Sequence, residues 1–209
     1  MNKTLVIVFV KNIQLGKVKT RLAKTIGNKA AFQVYTELVK LTENTTKNLQ
    51  NDVHIYFSET VTDNLWKNHY KTTQEGNHLG ERMKNAFKKS FKAGYKRVVL
   101  IGTDLPDINK THITKGLDLL KQNDVVFGPA EDGGYYLIGL SKMHDFIFDN
   151  KPWSQPNLLA ETRHELNLKN IKFSTLVTLN DIDVYNDLIT SNFYKSNIKL
   201  QEKIKQLND

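Results

Sequence analysis

Five short stretches carry the side chains that chemistry needs, and three of them follow a run suited to a buried strand. The first is Gly16-Lys17-Val18-Lys19-Thr20-Arg21-Leu22. Glycine lets a backbone pass close to an anion, lysine supplies a mobile charge, and arginine offers a planar fork to phosphate oxygens. The spacing is not that of a P-loop, and no G-x-G-x-x-G occurs, so a dinucleotide fingerprint has no support. The second stretch is Gly102-Thr103-Asp104-Leu105-Pro106. A carboxylate at a strand's carboxyl end suits Mg²⁺ or Mn²⁺, which commonly take one or two carboxylates plus substrate phosphates; it equally suits a turn. The third is Asn180-Asp181-Ile182-Asp183, whose two acids fall on one side of an extended segment. A carboxylate from here would complete a metal site, or Asp183 would cap a helix beginning near Val184. The fourth, Pro129 to Tyr136, sets Glu131 and Asp132 beside two glycines and two tyrosines, as a pocket lining or a hairpin turn. The fifth, Gln74 to Met83, is a polar, glycine-bearing entry to a helix whose amides could meet a base or a phosphate.

Strand-like and helix-like patterns alternate around these stretches without an internal repeat. Thr4–Lys11 reads as a strand buried on both faces, followed by a loop and a helix from about Asn28 to Asn48 with Ala31, Val34, Tyr35, Leu38 and Leu41 as its apolar stripe. Asp52–Ser58, Arg97–Thr103, Asp124–Pro129, Tyr135–Leu140 and Ile171–Thr178 read as further strands; the region around Trp66 has no clear pattern. Leu79, Met83, Ala86, Phe87 and Ser90 mark one helix face, and Ile113, Leu117 and Leu120 another. Strands separated by helices of this length imply right-handed crossovers and a largely parallel sheet with helices on both sides. The short Asp132-Gly133-Gly134 connection makes at least one strand antiparallel. The expectation is a three-layer α/β/α fold with a mixed sheet and ligands at the strands' carboxyl ends, residues 1–209 forming one domain.

Composition narrows the function. The chain has no cysteine, which removes disulfides, thiolate metal sites and cysteine nucleophiles. Its six histidines have no zinc spacing, and no G-x-S-x-G elbow is present. The longest apolar run, Leu5 to Val10, is far short of a bilayer span and precedes no small-residue cleavage site, so no membrane span and a cytoplasmic location are expected. Thirty basic against 22 acidic residues give a net charge of +8. The charge is scattered over what read as solvated helix faces and no nucleic-acid module is recognisable, so no nucleic-acid partner is expected; a local basic patch that steers phosphorylated small molecules is the alternative to mere surface decoration.

In this order, GKVKTRL (16–22), QEGNHLGERM (74–83), IGTDLP (101–106), GPAEDGGYYLIGL (128–140) and NDIDVYNDL (180–188) resemble the nucleotide-diphospho-sugar transferase superfamily, the glycosyltransferase A fold. More narrowly, the chain resembles a bacterial glycosyltransferase family, some of whose members are linked to arsenosugar biosynthesis. The resemblance implies Gly16, Lys19, Arg21 and Thr103 near the nucleotide phosphates and Gln74, Gly80 and Arg82 near the nucleoside. It further implies Glu131, Asp132 and Tyr135 facing the sugar or acceptor, and Asp104 with Asp183 holding Mg²⁺ or Mn²⁺. Lys19, Arg21 and Asp104 would stabilise the departing diphosphate, and Asp132 would take the acceptor's proton. The implied activity is metal-dependent transfer of a sugar from a nucleotide-diphospho-sugar to a small-molecule acceptor. The alternative is nucleotidyl transfer, with the basic loop stabilising pyrophosphate released from a nucleoside triphosphate.

Overall fold

Leu5 to Val10 has no polar face to offer water. In the computed structural model, which describes residues 3–208, this run forms most of strand β1 (Thr4–Val10), buried on both sides inside a seven-stranded sheet. The other strands are β2 (Asp52–Phe57), β3 (Tyr70–Thr73), β4 (Arg97–Ile101), β5 (Val125–Pro129), β6 (Tyr135–Leu140) and β7 (Phe173–Thr175), in the order β3-β2-β1-β4-β6-β5-β7. Every pairing is parallel except the two made by β6. The expected mixed sheet is therefore present, with the Gly133 turn reversing the chain between β5 and β6.

Period-two alternation splits β1 between two cores. Val6, Val8 and Val10 face helices α1 (Thr20–Thr46) and α3 (Lys110–Leu119), meeting Tyr35, Val39, Ile113 and Leu117. Leu5, Ile7 and Phe9 face α2 (Leu79–Lys92) and α4 (Leu158–Leu168), meeting Met83, Phe87 and Leu166. A third cluster joins the outer face of α1, through Leu22, Val34 and Leu38, to α5 (Tyr185–Thr190) and α7 (Ile198–Asn208) through Leu188, Leu200 and Ile204. Each large side chain so buried contributes roughly 1.5–3 kcal/mol. The three-layer α/β/α architecture follows. Among the described residues no helix is long and apolar enough to cross a membrane.

Some boundaries differ from the sequence reading for identifiable reasons. Helix α1 starts at Thr20, eight residues before the expected start, and is broken at Gly27 (φ 75°, ψ 159°). The periodicity beyond that break is the part the sequence displays. Strand β3 and the buried Trp66 are absent from the pattern reading, since β3 is four residues long with no buried position. Leu79, expected inside the α2 stripe, is 46% exposed, because α2 begins at the rim of a cavity.

Candidate active site

The strand order reverses direction across β1 and β4, the place where open α/β sheets leave a crevice. A cavity of about 480 Å³ opens there, within the usual range for small-molecule sites. One flank is built by the ends of β1, β2 and β3 and the start of α2, contributing Phe9, Lys11, Ser58, Gln74, Arg82 and Met83. A second wall comes from the β5–β6 turn and the 153–158 segment, contributing Asp132, Tyr135, Gln155 and Leu158, with Trp153 of that segment closing onto Gly80 at the start of α2. Between them lie Thr103 and Asp104 at the end of β4, with Asp181 from the distant segment after β7.

Backbone ties fix this geometry. Buried Asn12 joins the exits of β1 and β2: its amide group donates to the Thr60 carbonyl at 2.7 Å, and its side-chain oxygen accepts from the Glu59 amide at 2.9 Å. The Tyr35 hydroxyl, from α1, accepts from the Lys11 amide and meets Thr103 Oγ1 at 2.9 Å. Burial, with Asp104 nearby, holds that phenol well above its usual range, so it remains a protonated brace between β1 and β4. Gln74 donates its side-chain amide to the Tyr56 carbonyl at 3.0 Å, and Arg82 donates Nε to the Gly76 carbonyl at 2.9 Å. His78 caps α2 by accepting from the Glu81 amide.

Lys19 sits immediately before α1 in a left-handed conformation (φ 47°), a position where a residue with a side chain is uncommon. That backbone turns its side chain inward: it is 6% exposed, and Nζ lies 3.0 Å from Asp104 Oδ1. No side chain caps the amides that open α1. Asp132 spends Oδ1 on the Gly134 amide at 2.8 Å. Asp181 is largely desolvated; burial pushes its carboxyl up to about 6, with Lys19 pulling it down and Asp132 and Asp104 pushing it further up. Lys19 is thus paired to Asp104 and its charge also reaches Asp181, beside which Asp104 and Asp132 both lie. Among the described residues neither Lys11 nor Arg82 has a carboxylate partner. The Tyr135 hydroxyl is buried without a hydrogen-bond partner.

Of the residues expected from sequence, Gln74, Arg82, Thr103, Asp104, Asp132 and Tyr135 line the cavity, and Lys19 reaches it through Asp104. Others do not. Asp183, expected to be a metal ligand, instead pairs with Arg21, itself largely exposed. The 181–183 segment belongs to no strand: the Asp187 carboxylate accepts from the amides of Asp183 and Val184, and the Ile182 amide donates to the Asp104 carbonyl at 3.2 Å. Consequently Asp181 faces the cavity, and Asp183 with Arg21 clasps the loop outside it. The capping role open to Asp183 belongs to Asp187. Gly16 (φ 77°) shapes the loop without reaching the cavity, and Glu131 is exposed, held by its amide to the Leu179 carbonyl. Gly80 lies beneath the Trp153 ring, so close that a Cβ there would overlap the indole. Lys11, Ser58, Tyr35, Trp153 and Gln155 were not expected. Tyr35 was legible only as part of an apolar stripe, and Trp153 belongs to no periodic pattern.

Asp104, Asp132 and Asp181 are the hard oxygen donors that Mg²⁺ and Mn²⁺ prefer. Among the described residues no three acidic or histidine side chains converge on one point. The residues therefore fit a cation held by one or two carboxylates and completed by substrate oxygens.

The family model described as "uncharacterized protein conserved in bacteria (DUF2064)" matches residues 41–155. No curated protein matches the chain. Among solved structures, a candidate nucleotide-diphospho-sugar transferase from Desulfovibrio desulfuricans G20 is 31% identical, with 98% of this chain and 99% of that one covered and a TM-score of 0.85. A cytidylyltransferase from Leptospira borgpetersenii is 15% identical, covering 99% and 95%, with a TM-score of 0.54. Rv0371C from Mycobacterium tuberculosis H37Rv, solved in complex with manganese, is 11% identical over 90% and 97%, with a TM-score of 0.50. The last two share the fold alone. The architecture is that of the nucleotide-diphospho-sugar transferases.

Proposed function

The chain belongs to the DUF2064 family and has the nucleotide-diphospho-sugar transferase fold, and from that premise we propose that it is a cytoplasmic, single-domain transferase that moves a sugar from a nucleotide-diphospho-sugar to a small-molecule acceptor with the help of Mg²⁺ or Mn²⁺. The observation that carries this reading is one cavity that holds two cations without carboxylate partners, Lys11 and Arg82, together with a carboxylate group of Asp104, Asp132 and Asp181 reached by the buried Lys19 through Asp104. Lys11 and Arg82 bind the nucleotide's phosphates as their counter-charges. The uncapped amides of α1 and the Lys19 ammonium meet the diphosphate as negative charge develops on it. Asp104 and Asp181 would hold the divalent ion, which when bound neutralises charge on the departing diphosphate. Asp132 keeps Oδ2 free while Oδ1 is held by the Gly134 amide, so Oδ2 is the atom that takes the acceptor's proton. Manganese in a protein of the same fold supports the choice of ion.

Nucleotidyl transfer is the second reading. It is favoured by the buried Lys19 beside uncapped helix amides, a cradle that would suit pyrophosphate, and by the shared fold of a cytidylyltransferase. Incubation with nucleotide sugars, or with nucleoside triphosphates plus sugar phosphates, separates the two. Mn²⁺-dependent release of nucleoside diphosphate, reduced about 10²- to 10³-fold by Asp104→Asn, is expected. Pyrophosphate release would replace the first reading by the second, and neither product from any pair would end both.

A further inference from the structure

We infer that Tyr35 is a positioning residue for this site: from the α1 face of the sheet its hydroxyl reaches into the gap where β1 outruns β4, and there it sets the Lys11 cation against the Thr103–Asp104 arm. This rests on the assignment of Lys11 to the nucleotide's phosphates in the reading above.

Register creates the gap. The β1–β4 ladder begins with Thr4 opposite Arg97 and ends with Val8 opposite Ile101, while β1 itself runs on to Val10. On its other side β1 keeps its neighbour: Val10 pairs with Phe57, and its carbonyl accepts from the Ser58 amide at 2.8 Å. Successive residues of a strand turn their main-chain groups to opposite neighbours, so the amide and carbonyl of Lys11 point to the side that β4 has left. Polar groups at such a place need other partners. The Tyr35 hydroxyl supplies both, accepting from the Lys11 amide at 3.0 Å and donating to the Lys11 carbonyl at 3.0 Å. With its one proton on that bond, the phenol accepts from Thr103 Oγ1 at 2.9 Å.

The same alternation sends the two side chains to opposite faces. Tyr35 packs with Val8 and Val10 in the core on the α1 side and is 2% exposed. Lys11 falls on the face of Phe9, and both line the cavity. Thr103, 3% exposed, is followed directly by Asp104. One hydroxyl therefore joins the strand that ends in a cation to the strand that ends in a carboxylate, and it does so from behind the surface a ligand meets. Phenylalanine would keep the ring's packing and release all three bonds. A misplacement of about 1 Å between groups that grip one ligand is enough to cost on the order of 10²-fold in rate.

Titration calorimetry with UDP, GDP, CDP and dTDP tests this, the tightest of them being carried through wild type, Tyr35→Phe, Lys11→Ala and the double variant. Tyr35→Phe is expected to weaken that diphosphate about 5- to 10-fold. In the Lys11→Ala background it should cost less than about twofold, because the phenol acts through Lys11. A purely structural phenol would lower the unfolding temperature and leave Kd in place. If Lys11→Ala binds too weakly to titrate, about 1 M NaCl replaces it: with charges screened beyond roughly 3 Å, the gap between wild type and Tyr35→Phe should mostly close. Thermal unfolding checks that Tyr35→Phe is folded, and Thr103→Val, which cuts the other end of the tie, gives the same comparison if it is not. A Kd within twofold of wild type, an equal loss in the Lys11→Ala background, or a gap that persists in salt would overturn the inference with nucleotide binding intact. Absence of binding by every diphosphate to the wild type would remove the transfer reading itself, and this inference with it.

Discussion

The two ends of the sheet both carry polar clusters, and they treat their charges in opposite ways. At the amino ends of the strands the Tyr95 hydroxyl donates to Asp52 at 2.6 Å, Lys3 lies 3.6 Å from the same carboxylate and 4.3 Å above the Tyr95 ring, and His54 packs on Tyr70 at 4.5 Å between ring centroids. In this cluster Asp52 takes both Tyr95 and Lys3, and burial lowers the His54 pKa despite Asp52, favouring the neutral imidazole. At the carboxyl ends Asp104 and Asp132 lie near the desolvated Asp181, the buried Lys19 pairs with Asp104 alone, and Lys11 and Arg82 have no carboxylate partner among the described residues. A cluster that satisfies itself belongs to the fold; one left out of balance around a cavity is arranged for something that arrives later.

The largest expected break in this comparison comes from Lys19→Gln. If the lysine serves incoming phosphate, nucleoside diphosphate affinity should fall about 10- to 100-fold, the value of a hydrogen bond to a charged group. Asp104 loses its 3.0 Å partner at the same time. Mn²⁺ binding without nucleotide, followed by electron paramagnetic resonance, should then strengthen relative to wild type. Unchanged affinity for both ligands would make Lys19 a structural ion pair, no different in kind from Lys3 and Asp52.

The sequence made the sheet legible because its strands are continuous apolar runs, and Tyr135–Leu140 is read with both ends correct. Asp104 and Asp132 were legible for a related reason: strand and turn positions follow from local pattern. The choice between Asp181 and Asp183 was not. It depends on the Asp187 carboxylate holding the amides of Asp183 and Val184 and on the Ile182 amide docking to the Asp104 carbonyl across the fold, contacts with no local signature. Arg21 was displaced for the same reason, since its partner Asp183 faces away from the cavity. Trp153 was invisible because its position is fixed by a missing Cβ at Gly80, 73 residues earlier.

Asp181→Asn sharpens the comparison through stability. The folded state raises this carboxyl to about 6, above the roughly 4 of an unfolded chain, so the native protein holds the proton more tightly. Stability from this group is present below about pH 4 and is lost as pH rises through about 6. The asparagine variant should therefore be more stable than wild type at pH 7, by about 1–2 kcal/mol after allowance for solvent screening, and equal to it near pH 4. Transferase activity should fall in the same variant. Urea unfolding at both pH values measures the first effect, and a variant less stable at pH 7 would show that Asp181 is held by favourable contacts like those of Asp52.

Tyr95→Phe probes the self-satisfied end and should have the smallest effect. The phenol's hydrogen bond to Asp52 is 2.6 Å long, and burial together with that carboxylate raises the phenol's pKa far above its ordinary range, so the hydroxyl is a donor at every working pH. Removing it strips one bond from Asp52, which retains Lys3. A hydrogen bond to a half-exposed carboxylate is worth about 1 kcal/mol. Thermal unfolding should register that loss, while nucleotide affinity and turnover stay at wild-type values because the cluster lies at the opposite ends of the same strands from the cavity. A change in turnover larger than the stability loss would mean that the two ends are coupled through β1 and β4, and that the amino-end cluster positions the site rather than merely closing the fold.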